Sequence, residues 1–330
     1  MFKIPLYEPY LNGNEWNYIK ECLDTNWVSS SGSYVEKFEQ EIIKFTGSKY
    51  AVSCINGTAA LQIALKIAGV LPGDEVLVPT LTFIAPVNAV SYNGAIPVFF
   101  DSDNYFNIDS KNINSFIYNH TKMIDGYTYN KYTKRRITAI IPVHIWGNSC
   151  CMEPIRDICE KRNIKIIEDA SESLGTFYHS GDIVEKHTGT IGNLGCISFN
   201  GNKIITAGGG GMILTDSKKI AKKAKYLTTQ AKDDSLKYIH NEIGYNYRLT
   251  NIQAALGLAQ LEQLPTFLDK KKKIHIEYQK IIETIEGLEI LKSPKYSISN
   301  FWLNILRIDK KYFKKNINQI VKLMEKKNIE

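Results

Sequence analysis

Over its first 215 residues the chain alternates short β-branched runs with helical patterns, and few architectures accept that alternation. Tyr50 to Ile55 reads as a strand, followed by a helix from Thr58 to Ile67 that Gly69 closes. Glu75 to Val78 is the next strand, and Phe83 to Tyr92 a helix ending at Gly94. Strands follow at Ile96 to Phe100, Ala139 to Val143 and Lys165 to Ile167, with a helix from Pro154 to Lys161 between the last two. Gly211 to Thr215 is a further strand, leaving a run of glycines. The pattern predicts an α/β fold: a mostly parallel central sheet with helices on both faces.

Residues 102 to 137 interrupt the alternation with Asn, Tyr and Asp and a single weak helix, Asn112 to Tyr118; the stretch from Ile124 to Arg136 reads as a surface insertion. From Thr250 the pattern changes. A long helix runs to about Ile282 with a break at Pro265, then a strand from Phe301 to Ile308 and a helix from Asn316 to Lys327. Residues 1–250 are therefore expected to form a large domain and 251–330 a smaller one, with residues 1–25 packing beside the second.

Composition narrows the partners. Net charge is +7, and much of the excess lies in lysine-rich helical stretches such as Lys218 to Lys225 and Lys270 to Lys273. These read first as solvated faces, although a mild positive field also favours a polyanionic small substrate. No nucleic-acid motif is present. No apolar run approaches the ~18 residues of a membrane span, and MFKIPLYEPYLNGNEW lacks the apolar core of a signal peptide. A cytoplasmic protein is expected. The six cysteines show no CxxC spacing and the six histidines no ligand pair, so free thiols and no metal are expected.

In an open parallel sheet, ligands gather outside the carboxyl ends of the strands. Three segments place distinctive residues there. Asn56-Gly57-Thr58-Ala59 follows a strand and opens a helix, which suits an anion, although an ordinary N-cap accounts for Thr58 equally well. Lys165 to Gly175 (KIIEDASESLG) delivers Asp169 to the same edge with Glu172 three residues on. A carboxylate there needs a cation or several donors. It is either an N-cap of the following turn or a group that keeps a ring nitrogen protonated. The third segment, SFNGNKIITAGGGGM from Ser198 to Met212, sets Lys203 between a polar turn and four consecutive glycines. A desolvated lysine amine attacks carbonyls. Four glycines are costly to order and point to close backbone approach. A phosphate cradle, a carboxylate suited to a pyridinium and an imine-forming lysine are together what pyridoxal phosphate requires.

The same segments resemble the DegT/DnrJ/EryC1/StrS sugar aminotransferases, over nearly the whole chain. The resemblance is carried by Ile4-Pro5-Leu6 with Gly13-Asn14-Glu15, NGTAALQIAL at 56 to 65, VPTLTFIA at 78 to 85, PVHIWGN at 142 to 148, EDASESLG at 168 to 175, SFNGNK at 198 to 203 and GYNYRLTNIQAALG at 244 to 257. It implies the type I aminotransferase fold and a homodimer with a shared active site. Lys203 would carry the Schiff base, Asp169 would pair with the pyridine nitrogen, and Glu172 would lie by the ring's phenolic oxygen. Phe83 would stack on the ring, and Thr58, Ala59 and Ser198 would hold the phosphate. Asn246, with Arg248, would reach the phosphate from a second subunit. The implied reaction moves an amino group from glutamate to C4 of a nucleotide-linked 4-keto-6-deoxy-(N-acetyl)hexosamine. The glycine run and Glu172 resemble most the branch leading to legionaminic acid or bacillosamine-type sugars, with GDP-perosamine synthase as the alternative. The family also continues past the point where this sequence ends, into a segment with an Arg-Pro pair and a histidine; a shortened second domain is therefore expected, and with it either an enzyme or a catalytically impaired binding relative.

Trp146 reads equally as a packing aromatic or as a cofactor or nucleotide contact, His144 as structural, and Tyr7 with the Trp27–Gly32 turn as lining for a nucleotide entrance. A sugar dehydratase of the same fold would carry histidine in place of Lys203. A nicotinamide dehydrogenase would need GxGxxG between strand and helix, whereas Gly208 to Gly211 precede a strand.

Overall fold

A computed structural model describes residues 4–234, 236–313 and 315–330. The chain opens with α1 (Glu15–Asp24) and α2 (Ser33–Thr46), then β1 (Tyr50–Cys54), α3 (Gly57–Ile67), β2 (Glu75–Pro79), α4 (Ile84–Tyr92) and β3 (Ile96–Phe100). Next come α5 (Ser110–His120), the hairpin β4 (Thr121–Ile124) and β5 (Tyr127–Asn130), β6 (Arg136–Ile140), α6 (Met152–Lys161), β7 (Lys165–Asp169), β8 (Phe177–Tyr178), β9 (Leu194–Ser198), β10 (Gly211–Thr215) and α7 (Lys218–Thr228). The chain closes with α8 (Asn251–Ile282), β11 (Leu288–Ile290), β12 (Ser297–Ile298), β13 (Leu306–Ile308) and α9 (Ile317–Lys326).

The central sheet runs β1-β10-β9-β7-β6-β2-β3. Only β10 on that path opposes its neighbours, pairing antiparallel with both β1 and β9. Two reversals cancel, so β1, β9 and β7 point the same way and end at one edge. β10 begins at that edge, which brings the glycine run to the same place. Helices α3, α4 and α7 cover one face through a core of Ala60, Ile63, Ala64, Val78, Ile167 and Ile213. On the other face Phe38 and Ile42 of α2 and Ala254, Leu258 and Leu264 of α8 meet Ile197, Phe199 and Met212. α3 reads apolar on all sides because it is covered on all sides: Gly57 and Ala59 to Leu65 are all buried.

Four expectations need correction. Residues 124–136 are no loose insertion. The hairpin β4–β5 joins the sheet through β5 and β6, with Thr128 opposite Ile137, and buried Asn130 donates to Glu75 at 2.9 Å. α8 passes through Pro265 without a break, because Phe267, Leu264 and Leu261 remain buried around it and packing outweighs the one lost helical hydrogen bond. Its start is set by a reciprocal capping box between Thr250 and Gln253. The strand expected at 301–308 is confined to β13, since Phe301 sits in the left-handed region at φ 51 and cannot extend. β6 closes at Ile140, and beyond it Val143 makes an isolated bridge to Asp169.

Candidate active site

The site lies where β1, β9 and β7 end. After β1, Asn56 turns the chain into α3 and caps it, its Oδ1 accepting from the Ala59 N–H at 2.8 Å. Asn56, rather than Thr58, is thus the cap, and the Thr58 hydroxyl is left available. The bond also corrects the expectation for Ala59: its N–H is occupied, the residue is buried, and it does not line the cavity. The N–H groups of Gly57 and Thr58 are the first donors of α3 and have no helical carbonyl one turn earlier; that of Gly57 lies at the bridge Asn56 makes to Gly210, and that of Thr58 stays open.

A side chain at Gly57 would fill the space in front of those donors. Its Cβ would sit 2.9 Å from Ser198 Cβ, 3.2 Å from Ser171 Oγ and 3.3 Å from Ser198 Oγ. Two hydroxyls and a helix N-terminus thus converge on one small gap, the donor set a phosphate monoester requires. Ser171 was legible only as a small polar residue within EDASES; no spacing rule singles it out.

The glycine run explains itself here. Gly208 and Gly210 have φ +71 and +114, and a Cβ on Gly211 would lie 2.5 Å from the Asn56 carbonyl carbon. β10 therefore enters the sheet directly against the turn that opens α3, with the Gly210 N–H donating to the Ile55 carbonyl at 2.9 Å.

Asp169 ends β7, buried. Its main chain is held on both sides: its N–H donates to the Pro142 carbonyl at 2.9 Å and its own carbonyl accepts from the His144 N–H at 3.0 Å. Its Oδ1 accepts from the Ser171 N–H at 3.0 Å, so it shapes the turn as well as lining the cavity. Behind it, Glu168 is fully buried and ionised. Burial opposes its charge, but His144 Nε2 at 2.9 Å and the N–H groups of Gly189, Ile191 and Gly192 hold the carboxyl below the ordinary range. His144 Nδ1 accepts from the Cys150 N–H, so Nε2 carries the proton donated to Glu168. His144 is structural, as expected.

Lys203 follows β9 in a turn closed by its own N–H on the Asn200 carbonyl at 3.0 Å. Its Nζ lies 3.6 Å from Glu172 Oε1 and 4.5 Å from the centre of the Trp302 ring. The other Glu172 oxygen accepts from the Trp146 N–H at 2.7 Å, with Trp146 held at φ 55. Burial raises the Glu172 carboxyl above its usual range, against the pull of the Lys203 cation and the Trp146 N–H. Trp146 thus contributes its backbone to the site, while its ring packs edge-on against Phe106 at 5.5 Å. The Tyr7 hydroxyl donates to the Lys203 carbonyl, and burial pushes its phenol up to about 12.

The cavity, about 260 Å³, is lined by Thr58, Asp169, Glu172, Ser198 and Lys203, with Phe83 at its rim, 68% exposed. Trp302 joins them from the C-terminal elements, a contact that nothing in the local sequence announces. Asn246 is absent from this cavity. It lies exposed beside the end of α7, bridged to Thr229. The Nε of Arg248, two residues on, is buried without a hydrogen-bond partner. Among the described residues no group of three His, Cys, Asp or Glu side chains is placed to hold a metal ion, and no helix is long and apolar enough to cross a membrane.

An α/β frame with a phosphate cradle, a buried aspartate and a lysine amine around one cavity defines a class, the pyridoxal phosphate enzymes of the type I aminotransferase fold. Comparison with known proteins gives the family. The profile of the DegT/DnrJ/EryC1/StrS aminotransferase family matches residues 9–330, and the chain belongs to that family, whose cofactor is pyridoxal phosphate. GDP-perosamine synthase of Escherichia coli O157:H7 is 40% identical over 301 residues, covering 91% of this chain and 76% of that protein. A putative pyridoxal phosphate-dependent aminotransferase of Bacillus subtilis is 36% identical over 307 residues, covering 93% and 76%. Among solved structures, a DegT DnrJ EryC1 StrS aminotransferase from Brucella abortus superposes with a TM-score of 0.83 at 25% identity, covering 95% of this chain and 78% of its own.

Proposed function

We propose that the chain transfers an amino group from glutamate to the C4 ketone of a nucleotide-linked 4-keto-6-deoxy sugar. The observation that carries this reading is the placement of the Lys203 amine in one cavity with Asp169, Glu172 and the Gly57–Ser171–Ser198 cradle. Pyridoxal phosphate, when bound, supplies an aldehyde for an amine to capture and a ring that accepts an electron pair. The N–H of Thr58, with the hydroxyls of Thr58, Ser171 and Ser198, would hold its phosphate. Asp169 would keep a proton on its ring nitrogen, and Phe83 would cover one ring face. Lys203, once free, takes the proton from the donor's α-carbon and later returns one to the sugar's C4, acting as base and then acid. Glu172, 3.6 Å away, holds that amine toward the cavity.

The perosamine synthase relatives favour a GDP-linked substrate over the legionaminic or bacillosamine branch that the glycine run and Glu172 suggested. The glycines have a structural cause of their own at the α3 turn, which removes their weight as a branch marker. We further read the enzyme as a homodimer, with Asn246 of one subunit completing the phosphate site of the other. Its exposure outside its own cavity supports this.

The test is a panel of GDP-, UDP- and dTDP-linked 4-keto sugars offered with ¹⁵N-glutamate to the pyridoxal phosphate-loaded protein. The reading predicts label in the GDP-linked product. Transfer only to a UDP-linked N-acetyl sugar returns the assignment to the legionaminic or bacillosamine branch, and absence of transfer to any of them contradicts the activity.

A further inference from the structure

Lysine carries its charge on a flexible four-carbon stem. The Lys203–Glu172 separation of 3.6 Å exceeds a hydrogen bond, so ionic attraction alone leaves the direction of the amine open. A second contact is needed to hold the amine still, and the C-terminal elements provide it. We propose that Trp302 is the positioning residue for Lys203: its indole face holds the unreacted ε-ammonium over the cavity, while its N–H fixes the peptide that carries the lysine. The inference rests on the proposed function only in taking Lys203 as the reactive amine.

Three observations support it. The ring centre lies 4.5 Å from Lys203 Nζ, and tryptophan offers a cation the most favourable aromatic face. The indole Nε1–H donates to the Asn202 carbonyl at 2.8 Å, next to Lys203 in sequence, while Tyr7 takes the Lys203 carbonyl itself. Trp302 is in turn immobilised. It is 5% exposed, and its backbone N–H donates at 2.9 Å to Asn300 Oδ1. The Asn300 amide reaches the Glu172 carbonyl at 2.9 Å and the Leu174 carbonyl at 3.0 Å. One segment thus fixes both the ring above the amine and the backbone of the carboxylate beside it. Phe301, at φ 51 and stacked on His275 at 4.4 Å, makes the left-handed turn that precedes the indole.

The charged and titratable groups around the amine are Glu172 and Asp169 from the β7 edge, and Lys271 of α8, whose Nζ bonds the Trp302 carbonyl at 3.2 Å. Tyr7 contributes a neutral hydroxyl on the Lys203 carbonyl. Loss of the indole removes a stabiliser of the charged amine and leaves the others in place.

The experiment follows the pH dependence of Lys203 modification by trinitrobenzenesulfonate, located by peptide mass spectrometry. It uses the full chain freed of cofactor with hydroxylamine, as wild type, Trp302→Phe and Trp302→Leu. Trp302→Leu should lower the midpoint by about half a pH unit to one unit, and Trp302→Phe, which keeps a ring, should stay nearer the wild type. In the same titration wild-type tryptophan emission should change with the Lys203 midpoint, and that change should vanish in Lys203→Met. An unmoved midpoint in Trp302→Leu overturns the proposal, as does an equal shift in both variants. If Trp302→Leu does not fold, the emission arm decides, read as the difference between wild type and Lys203→Met so that tyrosine ionisation cancels; a difference with no step at the Lys203 midpoint overturns it. The reagent reads free amines, so wild type that fails to capture added pyridoxal phosphate contradicts the proposed function and leaves this result standing.

Discussion

At the scale of single residues, the site depends on a carboxylate that stays buried without losing its geometry. Asp169 is tied through its main chain to Pro142 and His144 and through its side chain to the Ser171 N–H, so an amide of the same shape fits in its place. Asp169→Asn should therefore bind the cofactor and fail at the proton-transfer step. A hydrogen bond to a charged partner contributes about 1.5–3 kcal/mol, so single-turnover rates should fall roughly ten- to hundredfold. A near-normal single turnover would remove Asp169 from this role. Lys203, Asp169, Thr58 and Ser198 could be named from sequence because strand ends and helix starts locate them. Ser171, Trp302 and the Trp146 N–H could not. Each acts through a backbone turn or a contact across a hundred residues, and neither leaves a periodic trace. Ala59 was misassigned for a related reason, since only the structure shows which residue caps α3.

At the scale of elements, the entry to α3 is the sensitive point. Asn56 caps it, Gly57 leaves the gap, and Gly211 lets β10 pass against it. Gly57 has an ordinary backbone conformation, so alanine there tests space alone. Its methyl would crowd Ser198 and Ser171, an overpacking that costs about 1–3 kcal/mol. Gly57→Ala should weaken pyridoxal phosphate binding roughly five- to hundredfold in equilibrium dialysis, and lower the melting temperature by a few degrees. Unchanged affinity would place the phosphate elsewhere. The strands and helices around this point could be read from their periods. The hairpin β4–β5 was hidden because its polar strands Thr121–Ile124 and Tyr127–Asn130 lie at the sheet margin, where alternation is weak. Pro265 misled because a proline rule applied to an isolated helix ignores the packing of α8 on α1 and α2.

At the scale of the whole molecule, acid should act through the buried layer behind the site rather than through the cavity. His187 is buried and neutral: its Nε2 accepts from the Gly175 N–H at 2.8 Å and its Nδ1 meets the Thr188 carbonyl. Burial lowers it to about 4 from an ordinary 6.5. The unfolded chain binds this proton first, so the stability His187 confers is full above about 6.5 and is lost as pH falls toward about 4. The loss amounts to about 2–3 kcal/mol. Glu168, held low by His144 and three N–H groups, acts in the same direction at still lower pH. Urea midpoints measured between about pH 7 and 4 should fall steeply, and less steeply in His187→Gln. Equal slopes would show that another group governs acid unfolding. The sheet's reversal at β10 is a whole-molecule property as well. It could not be read from the alternation of elements, yet it is what brings the start of β10, and the glycine run before it, to the edge where β1, β9 and β7 end.

The central claim is that the Lys203 amine captures the cofactor. Borohydride reduction of the pyridoxal phosphate-loaded chain, followed by peptide mapping, tests it directly. The account predicts a single pyridoxyl label on Lys203 and none in Lys203→Ala, which also loses turnover. A label on any other lysine, with Lys203 unmodified, would contradict it.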